Sequence, residues 1–190
     1  MSANLKLVQS VQLRIYKISK QYKKRNSPIE FSQLVENASQ VLVCLPNKVP
    51  TAPAAFQCVE KISNIFQHWK ITLLSPVEGV PKQTTKYSIV AYSSDDLTRA
   101  DKPKKELLQK FSNAAFDIAI DLSIPFNFTN IVALWKSEAL LRIGFYHPVR
   151  EAFYNFLLRL NNDSAYDNAY QSLLKYLESF QAETVPSRQI

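Results

Sequence analysis

Seven polar residues follow predicted strands of this 190-residue chain and could bind a polar or anionic ligand. They come after strands whose carboxyl ends should meet at one edge of a parallel sheet, where ligands of such sheets bind. The candidate ligand-binding residues are Asn47, Lys48, Ser123, Asn127, Tyr146, His147 and Arg150. Lys48, His147 and Arg150 could together form a small anion site. Alternatively, these residues are polar simply because they lie at the protein surface.

Residue types that many catalytic and metal sites require are scarce. The 2 glycines, Gly79 and Gly144, are too few and too far apart for a phosphate-binding loop. The 2 histidines, His68 and His147, have no ligand partner at helical or loop spacing, so we expect no metal. No Gly-x-Ser-x-Gly elbow occurs, although a Ser-His-Asp arrangement assembled across the fold stays open. We predict no catalytic residue and no cofactor.

The element around which these residues are arranged is Phe116-Asp-Ile-Ala-Ile-Asp-Leu122. It is apolar, rich in β-branched residues and flanked by helical patterns, which predicts the central strand of a parallel α/β sheet. Further strands are predicted at residues 41–45, 70–74, 87–92 and 142–145. Right-handed crossovers then predict a single Rossmann-like, doubly wound sheet of about five strands, ordered 3-2-1-4-5.

Helices are predicted at both ends of the chain and between the strands. They cover residues 4–25, 28–37, 51–67, 104–112, 129–141 and 149–160, and a final helix begins at a capping box of Ser164 and Asp167. Cys44 falls on a strand and Cys58 on a helix, both in apolar surroundings. We expect two reduced, buried thiols, with a disulfide or redox pair as the alternative.

The net charge of +7 is concentrated at the amino terminus. Residues 1–30 carry +6, which leaves +1 for the other 160 residues. The apolar residues Val8, Val11, Ile15, Ile18 and Tyr22 share one face of the predicted first helix. The basic residues are Lys6, Arg14, Lys17, Lys20, Lys23, Lys24 and Arg25, our candidates for contact with a membrane or partner.

Three explanations of this basic segment differ in what the segment contacts. The helix could pack on the domain with solvated lysines, or lie on an anionic membrane surface. Nucleic acid is disfavoured, because interleaved aromatic and glycine-rich residues are missing. No apolar run approaches the roughly 20 residues of a membrane span, and the basic amino terminus is not followed by the continuous apolar region of a signal peptide. We therefore expect a cytoplasmic protein, peripheral at the inner face of the membrane if the segment binds there.

The predicted organisation has three parts. Residues 1–27 form a basic amphipathic arm, residues 28–182 form the Rossmann-like domain, and residues 183–190 form a flexible tail.

Several runs together resemble a known enzyme family. Val41-Leu-Val-Cys-Leu45, then Thr51-Ala-Pro-Ala54 opening a helix, then Trp69-Lys-Ile-Thr-Leu-Leu74 looks like the start of the lipopolysaccharide heptosyltransferases, glycosyltransferase family nine. The central strand, followed by a helix and Leu141-Arg-Ile-Gly-Phe145, is similar to that family's next landmark. The resemblance covers roughly residues 40–160. It implies the acceptor-side half of a GT-B enzyme, without the second Rossmann-like domain that binds the nucleotide-sugar.

The chain departs from the family pattern at two loops. The family usually has a Gly-Asp pair after the first strand, whose Asp is thought to be the base, and here the loop is Pro46-Asn-Lys-Val-Pro-Thr51. It usually has a glycine-containing turn with a basic residue after the central strand, where this chain has Ser123-Ile-Pro-Phe-Asn127. Asp121 does match the pattern, and its place at a strand end suits a structural role as well as a chemical one.

The resemblance and its departures imply a non-catalytic binding or scaffold protein. Its expected partner is a glycolipid, another protein or an anionic membrane surface. The alternative is a subunit of a split glycosyltransferase that transfers a sugar in cell-envelope polysaccharide synthesis. A carboxyl edge closed by Pro46, Phe126 and Phe128 would favour the scaffold role.

Overall fold

The described part of the chain folds around one parallel β-sheet. The computed structural model describes residue 9 and residues 30–47, 52–80, 85–112, 114–160 and 166–182. Within these ranges the sheet has six strands in the order 3-2-1-4-5-6, and every neighbouring pair is parallel. The predicted doubly wound, Rossmann-like order is confirmed, and a sixth strand extends it.

Strands and helices alternate along most of the chain. The strands are β1 (Gln40–Cys44), β2 (Lys70–Pro76), β3 (Ser88–Tyr92), β4 (Ile118–Asp121), β5 (Leu141–Phe145) and β6 (Phe156–Leu158). The helices are α1 (Phe31–Asn37), α2 (Ala52–Ile65), α3 (Lys105–Ser112), α4 (Phe128–Lys136) and α5 (Tyr166–Ala182). Short 3-10 turns cover Val77–Gly79, Ser94–Asp96 and Arg150–Ala152. All five predicted strands are present, with ends that differ by at most a few residues.

The helix predicted over residues 149–160 is wrong. That stretch contains the 3-10 turn Arg150–Ala152 and then β6, which pairs with β5. Asn155 is the residue that directs it into the sheet. Its side-chain Oδ1 accepts a hydrogen bond from Arg142 N at 2.6 Å, and its own N donates to Arg142 O at 3.1 Å. These contacts with β5 override a local apolar pattern that suits a helix equally well.

The sheet has a hydrophobic core on each face, and β1 shows how one strand contributes to both. Val41 and Val43 belong to the core shared with α1, α2 and α5. Leu42 and Cys44 belong to the core shared with α3 and α4. Successive side chains of a strand point to opposite faces, so a strand covered on both sides is apolar throughout.

The structure confirms the prediction for the two thiols. Cys44 and Cys58 are both free and buried.

Several predictions concern residues outside the described ranges. These are the basic residues of the arm, Lys48, the capping residue Ser164 and the tail 183–190. The division of the chain into arm, domain and tail stays a prediction. No described helix has both the length and the apolar character that crossing a bilayer requires.

Gly144 gives a direct test of the packing between β5 and the segment that follows it. A Cβ at this position would lie 2.6 Å from Cε1 and 2.9 Å from Cδ1 of Tyr154, well inside van der Waals contact. We expect Gly144→Ala to lower the free energy of unfolding by about 1–3 kcal/mol, because the buried ring of Tyr154 must shift. Urea denaturation followed by tryptophan fluorescence measures this difference.

Gly79→Ala is the matched control for this substitution. A Cβ there would lie 3.2 Å from Ser75 Oγ and 3.3 Å from Pro76 Cγ, contacts that a small shift relieves. Its effect should be the smaller of the two, and equal losses for both variants would contradict the proposed clash with Tyr154.

Candidate functional site

Asp121 lies at the point of the sheet where doubly wound folds bind ligands. It is the last residue of β4 and pairs in register with Cys44, the last residue of β1. The strand order reverses between these two strands, so their carboxyl ends flank the topological switch point. The sequence placed Asp121 at a strand end, and the fold places that end in the middle of the sheet.

Both carboxylate oxygens of Asp121 are occupied by partners from the same chain. Oδ1 accepts hydrogen bonds from Ser123 N at 2.9 Å and from Asn130 Nδ2 at 2.8 Å. Oδ2 accepts from the Tyr154 hydroxyl at 2.7 Å and lies 3.3 Å from Arg150 Nη2. Asp121 is fully buried. We call Asp121 and these four partners, together with Asn127, the strand-end network.

Arg150 is the cation of this network, and its guanidinium also binds the backbone around it. Nη1 donates to Phe145 O at 2.9 Å and Nη2 donates to Pro125 O at 2.8 Å. The side chain is fully buried and passes 5.8 Å from the ring centroid of Tyr154. Arg150 therefore joins the end of β5 to the loop after β4. Arg150 was predicted to bind an external anion, but in the structure it binds the buried carboxylate of Asp121.

Asn127 and Asn130 connect the network to the start of α4. The Asn127 side chain caps the helix by accepting a hydrogen bond from Asn130 N at 3.2 Å. Asn130 Nδ2 lies 2.8 Å from Ser123 Oγ and 3.1 Å from Leu45 O, so one amide joins α4 to the ends of β1 and β4. Buried polar groups need such partners, and the cap places the amide nitrogen of Asn130 where it finds them.

Outside the network, a second group of residues remains accessible at the same edge. Asn47 is exposed, and Tyr146 and His147 are half-buried. The guanidinium carbon of the exposed Arg159 lies 4.0 Å from the ring centroid of Tyr146, and the ring centroids of His147 and Phe126 are 5.4 Å apart. We call Asn47, Tyr146, His147 and Arg159 the strand-end rim.

His147 is held in its neutral form. Burial lowers its pKa, and the positive charge of Arg150 lowers it further. Its Nδ1 is 3.3 Å from Val149 N and accepts a hydrogen bond from it, which agrees with an unprotonated nitrogen. The neutral ring is a hydrogen-bonding group at pH 7 and adds no charge to an anion site.

The structure divides the seven candidate ligand residues into two groups. Ser123, Asn127 and Arg150 are at most 3% exposed and belong to the strand-end network. Asn47, Tyr146 and His147 belong to the rim, and Lys48 lies outside the described residues. Ligand binding by these residues, and anion binding by Lys48 with His147 and Arg150, stay predictions.

Sequence reasoning missed Asn130, Tyr154 and Arg159. Asn130 and Tyr154 look like ordinary positions of two predicted helices, and only the folded chain brings them to Asp121. Arg159 follows β6, which was predicted as helix. A strand prediction there would have placed Arg159 at the carboxyl edge beside Tyr146.

Two further features of the described part concern ligands. No group of three or more His, Cys, Asp or Glu side chains in these ranges could hold a metal ion. A cavity of about 200 Å³ lies between α2 and α5, apart from the strand-end residues. It is lined by Ala54, Gln57, Cys58, Lys61, Asp167, Tyr170, Gln171 and Leu174.

Residues 10–180 match a family of unknown function, DUF6913. The chain belongs to this family. No curated protein matches the DUF6913 chain.

Two solved structures share the fold of this DUF6913 chain. A glycosyl transferase family 9 protein from Veillonella parvula matches with a TM-score of 0.60 and 17% identity, over 73% of this chain and 41% of that one. E. coli heptosyltransferase WaaC with ADP matches with a TM-score of 0.53 and 12% identity, over 79% of this chain and 49% of that one. The resemblance to family nine is thus confirmed for the fold, and this chain spans less than half the length of either structure.

Removing the cation of the strand-end network tests its contribution to stability. Arg150→Met keeps most of the side-chain volume but leaves the Asp121 carboxylate buried without its ion pair. We expect the free energy of unfolding to fall by about 3–5 kcal/mol, the usual cost of a buried charge that loses its partner. Urea denaturation at pH 7 measures the loss.

Two further variants show whether the loss comes from the ion pair. Asp121→Asn combined with Arg150→Met should lose less than the two single variants together, since neither charge is then left unpaired. Arg159→Met removes an exposed guanidinium and should change stability by less than about 1 kcal/mol. Strict additivity in the first case would show that Asp121 and Arg150 do not interact.

The buried thiols predict a loss of stability at alkaline pH. Burial raises the pKa of Cys58 from 9.0 to about 12, and burial together with the nearby Asp121 raises that of Cys44. Above about pH 9 the unfolded chain releases thiol protons that the folded chain keeps. Each thiol should therefore lower the free energy of unfolding by about 1.4 kcal/mol per pH unit there, and leave it unchanged at lower pH.

Denaturation midpoints at pH 8, 9 and 10 test this expectation. Cys58→Ala should give a shallower decline between pH 9 and 10, whatever its stability at pH 8, because one titrating thiol is gone. An unchanged slope would mean that this thiol is not protected by burial.

Proposed function

We propose that this chain is a non-catalytic, glycosyltransferase-like protein that binds a partner or acts as a scaffold at the cytoplasmic surface of the membrane. The state of Asp121 carries the proposal. A general base must reach the substrate proton with a free carboxylate oxygen. Ser123, Asn130, Tyr154 and Arg150 already occupy both oxygens of Asp121, which is fully buried.

The loop after β1 supports the same conclusion. It begins Pro46-Asn47, without an acid, and the carbonyl before it is bound by Asn130 Nδ2. Pro46 and Phe128 are buried and Phe126 is half-buried, so the chain's own side chains close much of this edge. A closed edge favours binding at the surface over chemistry in a cleft.

The strand-end rim suits a sugar that carries an acidic group, as in a glycolipid headgroup. The exposed guanidinium of Arg159, which lies over the ring of Tyr146, can bind a phosphate with two parallel hydrogen bonds. Neutral His147 and exposed Asn47 add hydrogen-bonding groups at the same edge.

Transfer and binding assays test the proposal separately. The purified full chain, given a panel of nucleotide-sugars and simple sugar acceptors, should transfer no sugar, and Asp121→Asn should behave identically. Any transfer of sugar by the purified wild-type chain would overturn the non-catalytic assignment. The readout is nucleotide release together with mass spectrometry of the acceptor.

Binding is measured by calorimetry with a hexose 1-phosphate as the probe. Arg159→Ala should weaken this binding about tenfold, the loss expected when a charge-assisted hydrogen bond disappears. Lys175→Ala, which removes an exposed positive charge from α5, is the control and should leave binding unchanged. Equal effects of the two variants, or no binding by the wild-type chain, would remove the rim from the proposal.

The second candidate function is a subunit of a split glycosyltransferase for cell-envelope polysaccharide. The observation in its favour is that the two structural neighbours are matched over only 41% and 49% of their lengths. Affinity purification from the native cell, followed by mass spectrometry, distinguishes the two functions. A stoichiometric partner with a nucleotide-sugar-binding domain would favour the split enzyme, and repeated recovery of the chain alone would count against it.

A further inference from the structure

Gln9 connects the basic amino-terminal segment to the domain. Its Nε2 donates hydrogen bonds of 3.1 Å to Ala100 O and to Asp101 Oδ2. The side chain is 3% exposed, although glutamine is mostly found at protein surfaces. A buried amide bonded to residues more than 90 positions away is a specific tertiary contact.

Ala100 and Asp101, which accept these hydrogen bonds, belong to the loop of residues 93–104. Hydrogen bonds within this loop stabilise its conformation. Ser93 and Asp96 form a capping box, and Lys104 N donates to Asp96 O at 2.9 Å. Thr98 N donates to Lys102 O at 2.9 Å, and Thr98 Oγ1 accepts from Lys102 N at 3.3 Å. We call residues 93–104 the docking loop.

Asp101 has a strained backbone that serves two contacts at once. Its φ of 56° lies in the left-handed region, which a residue other than glycine occupies only when its surroundings hold it there. Its carbonyl accepts a hydrogen bond from Thr129 Oγ1 at 2.8 Å, while its carboxylate accepts from Gln9. The strained residue therefore joins the docking loop to α4 on one side and to the amino-terminal segment on the other.

The docking loop lies at the carboxyl edge of the sheet. It follows the carboxyl end of β3 and contacts Thr129 in the first turn of α4. The next residue, Asn130, bonds Asp121 in the strand-end network. The contact with Gln9 is therefore made at the side of the sheet where doubly wound folds receive their ligands.

We propose that the docking loop is the binding surface for this chain's own amino-terminal segment, with Gln9 as the recognised residue. In the docked state Gln9 is bound to the docking loop. In the released state its basic residues are free to bind an anionic membrane. The two states differ by the Gln9 contact, so a membrane that binds only the released segment shifts the population towards it.

Two substitutions break the contact from opposite sides. Gln9→Glu removes the amide donor and brings a carboxylate beside Asp101. Asp101→Gly removes the side-chain acceptor, and glycine accepts the positive φ without strain. Each should make the amides of residues 1–27 exchange at least about tenfold faster, and should speed tryptic cleavage after the basic residues of this segment to a similar degree.

Matched controls separate loss of the contact from other effects. Gln33→Glu adds the same charge at an exposed position of α1, and Glu138→Gly relieves a second non-glycine residue with positive φ, at 62°. Both should leave exchange of residues 1–27 unchanged. Gln9→Glu combined with Asp101→Asn should restore protection, because the asparagine amide can donate to the new carboxylate and tolerates a left-handed backbone.

The outcomes are decided by hydrogen-exchange mass spectrometry, with circular dichroism to verify folding. If Asp101→Gly does not fold, Gln9→Glu and its rescue still decide the question. The inference is overturned if residues 1–27 are unprotected in the wild-type chain, if Gln9→Glu leaves their protection intact, or if the controls lose protection equally.

Flotation with phosphatidylserine vesicles tests whether the released segment binds a membrane. The Gln9→Glu variant should bind at least about tenfold more than the wild-type chain, and equal binding would refute the membrane-competent state.

Discussion

A carboxylate buried in the middle of a sheet requires compensation, because an unpaired charge in a protein interior costs several kcal/mol. In this chain Asp121 obtains it from Ser123 N, Asn130, Tyr154 and Arg150. Each partner comes from a different part of the chain after β4. Satisfying one carboxylate therefore fixes the start of α4, the turn after β5 and the segment that leads into β6. Tyr154 packs against Gly144, where a Cβ would clash with its ring. The glycine therefore allows Tyr154 to reach Asp121.

This arrangement bears directly on function. At the switch point, the buried polar groups of the strand-end network are bonded to one another. The fold is shared with a family 9 glycosyl transferase and with heptosyltransferase WaaC at 17% and 12% identity, levels at which cores persist while loops change. Among the residues that the structure describes, this edge includes the rim of Asn47, Tyr146, His147 and Arg159, and on the β3 side the docking loop, which binds Gln9.

The sequence predicted most of the fold and little of the site. Apolar runs identified five strands because strands covered on both faces have no polar side to interrupt the pattern. The error at residues 149–160 arose because Asn155 and its hydrogen bonds to Arg142 decide between strand and helix, and such a contact has no local signal. For the same reason Arg150 was predicted to bind a ligand, although it forms an ion pair with Asp121. A charged residue in a loop looks solvent-exposed until its buried partner is known.

The sequence by itself determined the parallel α/β class and the burial of Cys44 and Cys58, and with the handedness of crossovers it determined the order of the first five strands, since these follow from burial of apolar surface along the chain. The tertiary structure alone decided which of the described polar residues are internal and which are exposed. Hydrogen bonds between Asp121 and Tyr154, or between Gln9 and Asp101, join residues 33 and 92 positions apart. Their geometry exists only after the sheet has formed, so no local pattern can encode it.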